Sequence, residues 1–154
     1  MELYCGSDLP EHVLDCIRDS NEVLLEDLRL WGKTTEEIVE HIKTEVLNSY
    51  IYLVYQDNIC LLYMDKTPYT AWMSILYGKN SKPNKLVRII KELITLWEEK
   101  TDMHKIELAT TCPDLYPILT RCGFTLEGSL TDSRRVPTGE FVDEWLYGYL
   151  IDVS

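Results

Sequence analysis

The sequence contains no long apolar run. Its longest apolar segments, 51–55 and 59–64, are separated by the polar residues 56–58, and both are far shorter than the roughly 20 residues that cross a bilayer. Residues 1–6 have neither a basic stretch nor an apolar core, so no secretory signal is predicted. We therefore expect a soluble protein with no membrane contact, located in the cytoplasm.

Cysteine and histidine are few and scattered. The sequence has five cysteines, an odd number, and no pair has C-x-x-C spacing. No cysteine has a predicted helix N-terminus or a local base that would favour a thiolate. We therefore expect reduced, structural thiols, no metal site and no cysteine nucleophile. His12, His41 and His104 fall on predicted helices or a turn, where structural or exposed roles are expected.

Basic residues are in the minority. Lysine and arginine total 15 against 26 aspartates and glutamates, and the formal net charge is −11. Because nucleic-acid backbones demand a basic face, general binding to nucleic acid is unexpected. The exception is the segment 79–91, called here the basic segment, which is either an anion-binding surface or a charged face in water. Its basic residues are Lys79, Lys82, Lys85, Arg88 and Lys91.

The first third of the chain predicts helices. Apolar residues recur at helical spacing over 11–21 and over 35–47. Asp8 is a candidate N-cap of the first helix, and Thr34 with Glu37 predicts a capping box before the second. The apolar and acidic segment 22–31 could also be helical.

From residue 50 the pattern changes to that of extended chain. Three segments rich in Tyr, Ile, Val and Trp are joined by short polar turns, which predicts an antiparallel meander. The predicted segments are strands 50–55, 59–64 and 69–77, a long helix ending near 100, a strand 106–110, a helix 115–122 and two strands within 124–150. This order predicts a single α/β domain over 1–154, with one mixed sheet covered by helices.

The C-terminal third carries the most specific pattern. A strand leads to a short helix that runs into Gly123-Phe124-Thr125-Leu126-Glu127-Gly128, and an aromatic strand follows Val142-Asp143-Glu144. This order resembles the GCN5-related N-acetyltransferase (GNAT) family, in which a helix ends at Gly-Phe and the next strand reads Gly-Phe-x-x-Glu-Gly. The resemblance implies a GNAT-like α/β (α+β) fold. Its single mixed, mostly antiparallel sheet of six or seven strands is flanked by about four helices.

The resemblance also implies an acetyl-CoA site between the third predicted strand and the long helix. Family members have a glycine-rich loop there, because glycines let backbone amides approach a pyrophosphate at the positive end of a helix. Here the matching loop keeps one glycine, and lysine side chains are expected to contact the phosphates in place of the missing glycine-rich loop. Such a degenerate loop also resembles GNAT-like proteins of tailed phages. The implied cofactor-binding residues are Leu76, Tyr77, Gly78, Lys79, Ser81, Lys82, Lys85 and Arg88.

The acid and the base of acetyl transfer are less clear. Many family members use a tyrosine four residues before the glycine of Gly-Phe as the acid, and Leu119 occupies that position here. Tyr116, one helical turn earlier, is the candidate acid or else a core or rim tyrosine. Glu107 is the candidate base or else a surface glutamate. The acidic pair Asp143 and Glu144 is expected to line a substrate groove or to lie on the solvent-exposed face of the last strand.

Two functions remain open from the sequence. The first is an acetyl-CoA-dependent N-acetyltransferase acting on a primary amine. Its acidic N-terminal helices would favour a cationic acceptor such as a polyamine, an aminoglycoside or a lysine side chain. The second is a catalytically inactive GNAT-fold protein that binds a protein partner or itself, for example a phage virion or host-interaction component in a virion or infected cell. The degenerate loop and the absent tyrosine favour the second, whereas the overall pattern favours acyl-CoA binding.

Overall fold

The computed structural model describes residues 2–5, 8–20, 24, 33–48, 51–78, 80–135 and 138–151. Within these ranges the chain forms four helices and seven strands. The helices are α1 (Glu11–Arg18), α2 (Thr35–Leu47), α3 (Pro83–Lys100) and α4 (Leu115–Arg121). The strands are β1 (Glu2–Tyr4), β2 (Tyr52–Gln56), β3 (Ile59–Thr67), β4 (Thr70–Tyr77), β5 (Lys105–Thr110), β6 (Thr125–Arg135) and β7 (Phe141–Leu150). Apart from residue 24, the possible helix over 22–31 lies outside the described residues.

The seven strands form one sheet in the order β1-β2-β3-β4-β5-β7-β6. Neighbouring strands are antiparallel except β4 and β5, which are parallel. This topology confirms the mixed, mostly antiparallel sheet and the meander formed by β2, β3 and β4. The sequence pattern does not predict β1, because three residues are too short to show a period. β1 joins the sheet by pairing with the edge of β2.

Local sequence determines where the first two helices begin. The capping box before α2 is confirmed, since Glu37 N donates to Thr34 Oγ1 at 3.2 Å and Thr34 N donates to Glu37 Oε1 at 3.1 Å. The prediction that Asp8 caps α1 is wrong. Pro10 occupies the N-cap position with an extended backbone (φ −69°, ψ 159°) and makes no side-chain cap. The fixed φ of proline suits an entry into a helix, so α1 begins at the next residue.

Helices cover both faces of the sheet. On one face, called the front face, α1 and α2 lie over β2, β3 and β4, and Cys16 Sγ of α1 lies 3.4 Å from Cys60 Sγ of β3. On the opposite or back face, the Trp97 ring of α3 stacks on Tyr63 of β3 with 4.1 Å between the ring centroids. α4 lies on the back face as well. None of the helices in the described ranges is long and apolar enough to cross a membrane.

The β6–β7 hairpin contains a buried ion pair. The side chains of Arg134 and Glu144 are 5% and 1% exposed, and Arg134 Nη2 donates to Glu144 Oε2 at 2.5 Å. Ser133 Oγ donates to the other carboxylate oxygen at 2.7 Å. Glu144 is therefore buried and does not lie on a solvent-exposed strand face. The cross-strand arginine compensates the desolvation of its carboxylate.

Replacement of Glu144 tests this pair. Glu144→Ala removes the carboxylate from a buried guanidinium, so we expect the free energy of unfolding to fall by about 3–5 kcal/mol. Glu140→Ala, at an exposed position before β7, should change it by less than about 0.5 kcal/mol. Urea denaturation followed by circular dichroism measures both. Similar small effects for the two variants would contradict a stabilising role for the pair.

Candidate functional site

β4 and β5 are parallel neighbours that separate after a short distance. They pair at three positions, the last of which joins Trp72 to Glu107. β4 continues beside β3 to Tyr77, whereas β5 continues beside β7 to Thr110. Both strands are described in full, and no strand among the described residues pairs with the edge of β4 from 73 to 76 on the β5 side. Alternate backbone N–H groups of a strand point toward such an edge. We call this gap the strand opening.

A cavity of about 480 Å³ lies on the front face beside the strand opening. α2 forms one wall, to which it contributes His41 and Glu45, and β3 contributes Lys66. Trp72 and Ser74 of β4 form part of the floor, at the point where β5 separates. We call this space the front cavity.

The end of β4 is held by the chain that follows α1. Gly78 forms an isolated antiparallel bridge with Ser20. Ser81 N donates to Gly78 O at 3.1 Å, which turns the chain toward α3. Leu76 and Tyr77 are buried, so their side chains belong to the core and their backbone alone borders the opening.

α3 begins close to the end of β4. Lys82 is its N-cap and Pro83 its first residue, and no side chain among the described residues caps its first turn. Lys82, Lys85 and Arg88 are exposed. A cleft of about 650 Å³ joins the first two of these lysines to the end of β4. The fold therefore brings most of the predicted cofactor-binding residues together, while Lys79 lies outside the described residues.

Tyr116 lies on the β5 side of the strand opening. α4 follows the end of β5 and holds Tyr116, half-buried, against β7 on the back face. The Tyr116 ring centroid lies 5.9 Å from that of Tyr147 and 6.0 Å from that of Trp145. Leu119, at the position of the family's tyrosine, is 0% exposed and belongs to the core. Tyr116 is thus the phenol of α4, and it packs on β7, the strand next to β5.

Glu107 lies between two lysines at the last β4–β5 pair. Lys66 Nζ donates to Glu107 Oε2, and Lys105 Nζ lies 3.3 Å from Glu107 Oε1. The hydrogen bond from Lys66, with that from Lys105, lowers the pKa of Glu107, and a carboxylate with a lowered pKa is a weaker base. Lys105 is also 2.6 Å from Glu127. The Glu127 carboxylate lies over Gly148, where an added Cβ would come within 2.6 Å of it.

Sequence reasoning missed the charged residues of the front cavity. Glu45 follows Ile42 by three residues on α2, but a glutamate beside an apolar stripe usually faces water. Lys66 lies beyond the predicted end of its strand, which the structure extends to residue 67. The alternation along β4, which places Trp72 and Ser74 on one face, was the signal available. The fold is needed to show that these side chains share a cavity.

No protein-family model matches the sequence, and no curated protein matches it. Solved structures do resemble the fold. Spermidine N-acetyltransferase from Vibrio cholerae, in complex with CoA and spermine, has a TM-score of 0.71 at 15% identity, over 97% of this chain and 95% of that chain. A ribosomal L7/L12 α-N-protein acetyltransferase in complex with CoA has a TM-score of 0.69 at 18% identity, over 99% and 100%. The ribosomal-protein-S5-alanine acetyltransferase from Vibrio fischeri has a TM-score of 0.64 at 16% identity, over 91% and 90%.

These similarities cover nearly the whole of each chain. Identities of 18% or less show a shared fold. The sheet order, the parallel β4–β5 pair and the helices on both faces confirm the predicted architecture. The chain thus has the fold of the GNAT-family acetyltransferases.

Proposed function

We propose that this protein is an acetyl-CoA-dependent N-acetyltransferase that transfers an acetyl group to a primary amine. The observation that carries the proposal is the strand opening, with the N-terminus of α3 and exposed basic side chains beside it. Similarity in fold to acetyltransferases solved with CoA supports it. When bound, acetyl-CoA would supply the thioester whose acetyl group is transferred.

The residues at the end of β4 fit the phosphates of such a cofactor. The first-turn N–H groups of α3 lie at the positive end of the helix dipole, which favours an anion. Lys82 and Lys85 line the cleft that also contains Gly78 and Ser81, and they would donate charge-assisted hydrogen bonds to phosphate oxygens. Arg88 would contribute less, because its Nη1 lies 3.4 Å from a carboxylate oxygen of Glu92 on the same helix. Side-chain cations would therefore replace part of the family's glycine-rich loop.

Groups on the two sides of the strand opening would act on the thioester. The edge of β4 at residues 73–76, which no described strand pairs with on the β5 side, would donate a backbone N–H to the carbonyl oxygen and so stabilise the negative charge that develops there. The amine nitrogen, after losing a proton to water, would form a bond to the carbonyl carbon. As the C–S bond breaks, Tyr116, on the other side, would donate a proton to the departing sulfur, and the proton then lost by the nitrogen would restore the phenol. Its aromatic contacts with Trp145 and Tyr147 restrict the ring and would keep the hydroxyl in place.

For Glu107 we propose a positioning role, in place of the role of general base suggested by the sequence. Its carboxylate is engaged by Lys66 and Lys105, and their hydrogen bonds lower its pKa. Through Lys66 it would fix the ammonium group that lies 5.3 Å from the centroid of the Trp72 ring.

The second candidate function is a GNAT-fold protein without catalysis, such as a phage structural component. The specific observation in its favour is that the β4–α3 connection keeps one glycine, Gly78, and that Leu119 replaces the family's tyrosine. Such a protein would keep the strand opening as a consequence of the fold. It would not bind acetyl-CoA at concentrations at which enzymes of this kind work.

Isothermal titration with acetyl-CoA separates the two functions. We expect micromolar binding by the wild-type protein. Lys82→Ala combined with Lys85→Ala should weaken it by about 1.5–3 kcal/mol, the range for hydrogen bonds to charged groups. Lys91→Ala, exposed on the same helix but farther from its N-terminus, should leave the affinity unchanged.

The outcomes of this titration differ in meaning. Unchanged affinity in the double variant would remove the two lysines from the cofactor site while leaving the enzyme proposal intact. Absence of binding at millimolar acetyl-CoA would contradict the enzyme proposal and favour the inactive fold.

Tyr116→Phe tests the acid. If Tyr116 protonates the departing sulfur, kcat should fall by about 100-fold or more, since general acid catalysis contributes that much. The KM for acetyl-CoA should change little, because the ring and its aromatic contacts remain. Tyr69→Phe, at a 68% exposed position, serves as the control. Steady-state assays by mass spectrometry of the acetylated product measure both, and an unaltered kcat for Tyr116→Phe would exclude this residue as the acid.

A further inference from the structure

The front cavity lies where an acceptor amine could reach the strand opening. Its volume of about 480 Å³ falls within the range of small-molecule sites, about 300–1,000 Å³. Trp72 and Ser74 on its floor belong to the stretch of β4 from which β5 separates. A molecule in this cavity would therefore lie beside the strand edge at which we propose the thioester is held.

The cavity contains one uncompensated negative charge among the residues described. The Glu45 side chain is 30% exposed, and its nearest basic group is His41, with Nε2 4.0 Å from Oε1 and a charge only when protonated. No lysine or arginine in the described ranges forms an ion pair with Glu45. Lys66, the other charged residue of the lining, is neutralised by Glu107. The cavity therefore favours a ligand with a positive charge.

The rest of the described lining is mainly apolar. Ile42, Leu62 and Met64 line the cavity together with the Trp72 indole. These side chains gain free energy when they cover a hydrocarbon or aromatic group and exclude water from it. They offer no hydrogen-bond acceptor to a second ammonium group.

We infer that the acceptor is a small monoamine with an apolar body, bound in the front cavity with its ammonium group on Glu45. The ammonium group would lose a proton to water, and the neutral amine nitrogen would then attack the carbonyl carbon of the thioester. This inference rests on the proposed function, for which it names the substrate class. Glu45 determines the selection for a cation, and the apolar wall determines the selection for a hydrophobic body. The site thus accepts arylalkyl or branched alkyl amines.

A linear polyamine fits this cavity poorly. Each of its ammonium groups loses hydration on entry and requires a carboxylate in return, and the described lining supplies Glu45 alone. A second ammonium group would also lie near Lys66. The acidic first third of the sequence favours polyamines by its overall charge, but the cavity selects by the charges that line it.

Binding of 2-phenylethylamine to the protein without cofactor tests the site independently of catalysis. Saturation-transfer NMR and isothermal titration should show that it binds more tightly than spermidine. Glu45→Gln keeps the side-chain shape and removes the charge, so it should weaken binding about tenfold or more. Glu40→Gln, exposed on the same helix outside the cavity, should not, and thermal unfolding checks that both variants remain folded.

Turnover in the presence of acetyl-CoA gives the second readout. We expect kcat/KM for 2-phenylethylamine to exceed that for spermidine about tenfold or more. Glu45→Gln should raise the KM for 2-phenylethylamine by about the factor seen in binding, with a smaller change in kcat. If Glu45 were needed for folding alone, Glu45→Gln would lower the melting temperature and would reduce turnover of all substrates to a similar extent. Preference for spermidine, or an unaffected Glu45→Gln, would overturn the inference.

The two proposals fail in different ways. If acetyl-CoA does not bind while 2-phenylethylamine binds through Glu45, the transfer reaction is wrong and the cavity is an amine-binding site of another kind, which overturns its assignment as the acceptor site. If acetyl-CoA binds and spermidine is acetylated in preference, the function stands and the substrate class is wrong.

Discussion

β4 and β5 pair at three residues only, whereas each of these strands pairs along its whole length with its other neighbour. β3 keeps β4 in one half of the sheet as far as Tyr77, and β7 keeps β5 in the other half as far as Thr110. The two halves of the sheet are therefore joined only at this short junction, beyond which β4 has no strand partner on the β5 side among the described residues. The connection to α3 and the front cavity border the space that results, and the aromatic cluster around Tyr116 lies over β7, on the far side of β5.

Charge is arranged differently at the two ends of this space. At the junction, Lys66 and Lys105 alternate with Glu107 and Glu127, so the four charges neutralise one another and leave little field. At the end of β4, the lysines at the start of α3 are exposed beside a helix N-terminus. Near the junction, Glu45 differs from these four residues because no described lysine or arginine forms an ion pair with it. An anion is therefore favoured at the open end and a cation in the front cavity, in a chain whose net charge of −11 would by itself suggest only attraction for cations.

Most of the fold was predictable from local pattern, whereas the site was predictable only in part. The meander, α3 and the C-terminal hairpin have clear periods, and the capping box of α2 is a local hydrogen-bond pattern. The sequence predicts Asp8 as the N-cap of α1, but Pro10 occupies that position and its conformation decides where the helix begins. The burial of Glu144 depends on a cross-strand arginine, and the role of Glu45 depends on a cavity between elements far apart in the chain. Such features depend on contacts between segments far apart in the chain, which a local sequence pattern does not show.

We propose that the acyl thioester binds at the edge of β4 that borders the strand opening. The most direct measurement is the change in backbone amide chemical shifts of isotope-labelled protein when acetyl-CoA is added. We expect the largest changes on residues 73–78 and on the first turn of α3, with smaller changes in α4 near Tyr116. Changes confined to other parts of the sheet, or none at saturating acetyl-CoA, would contradict it.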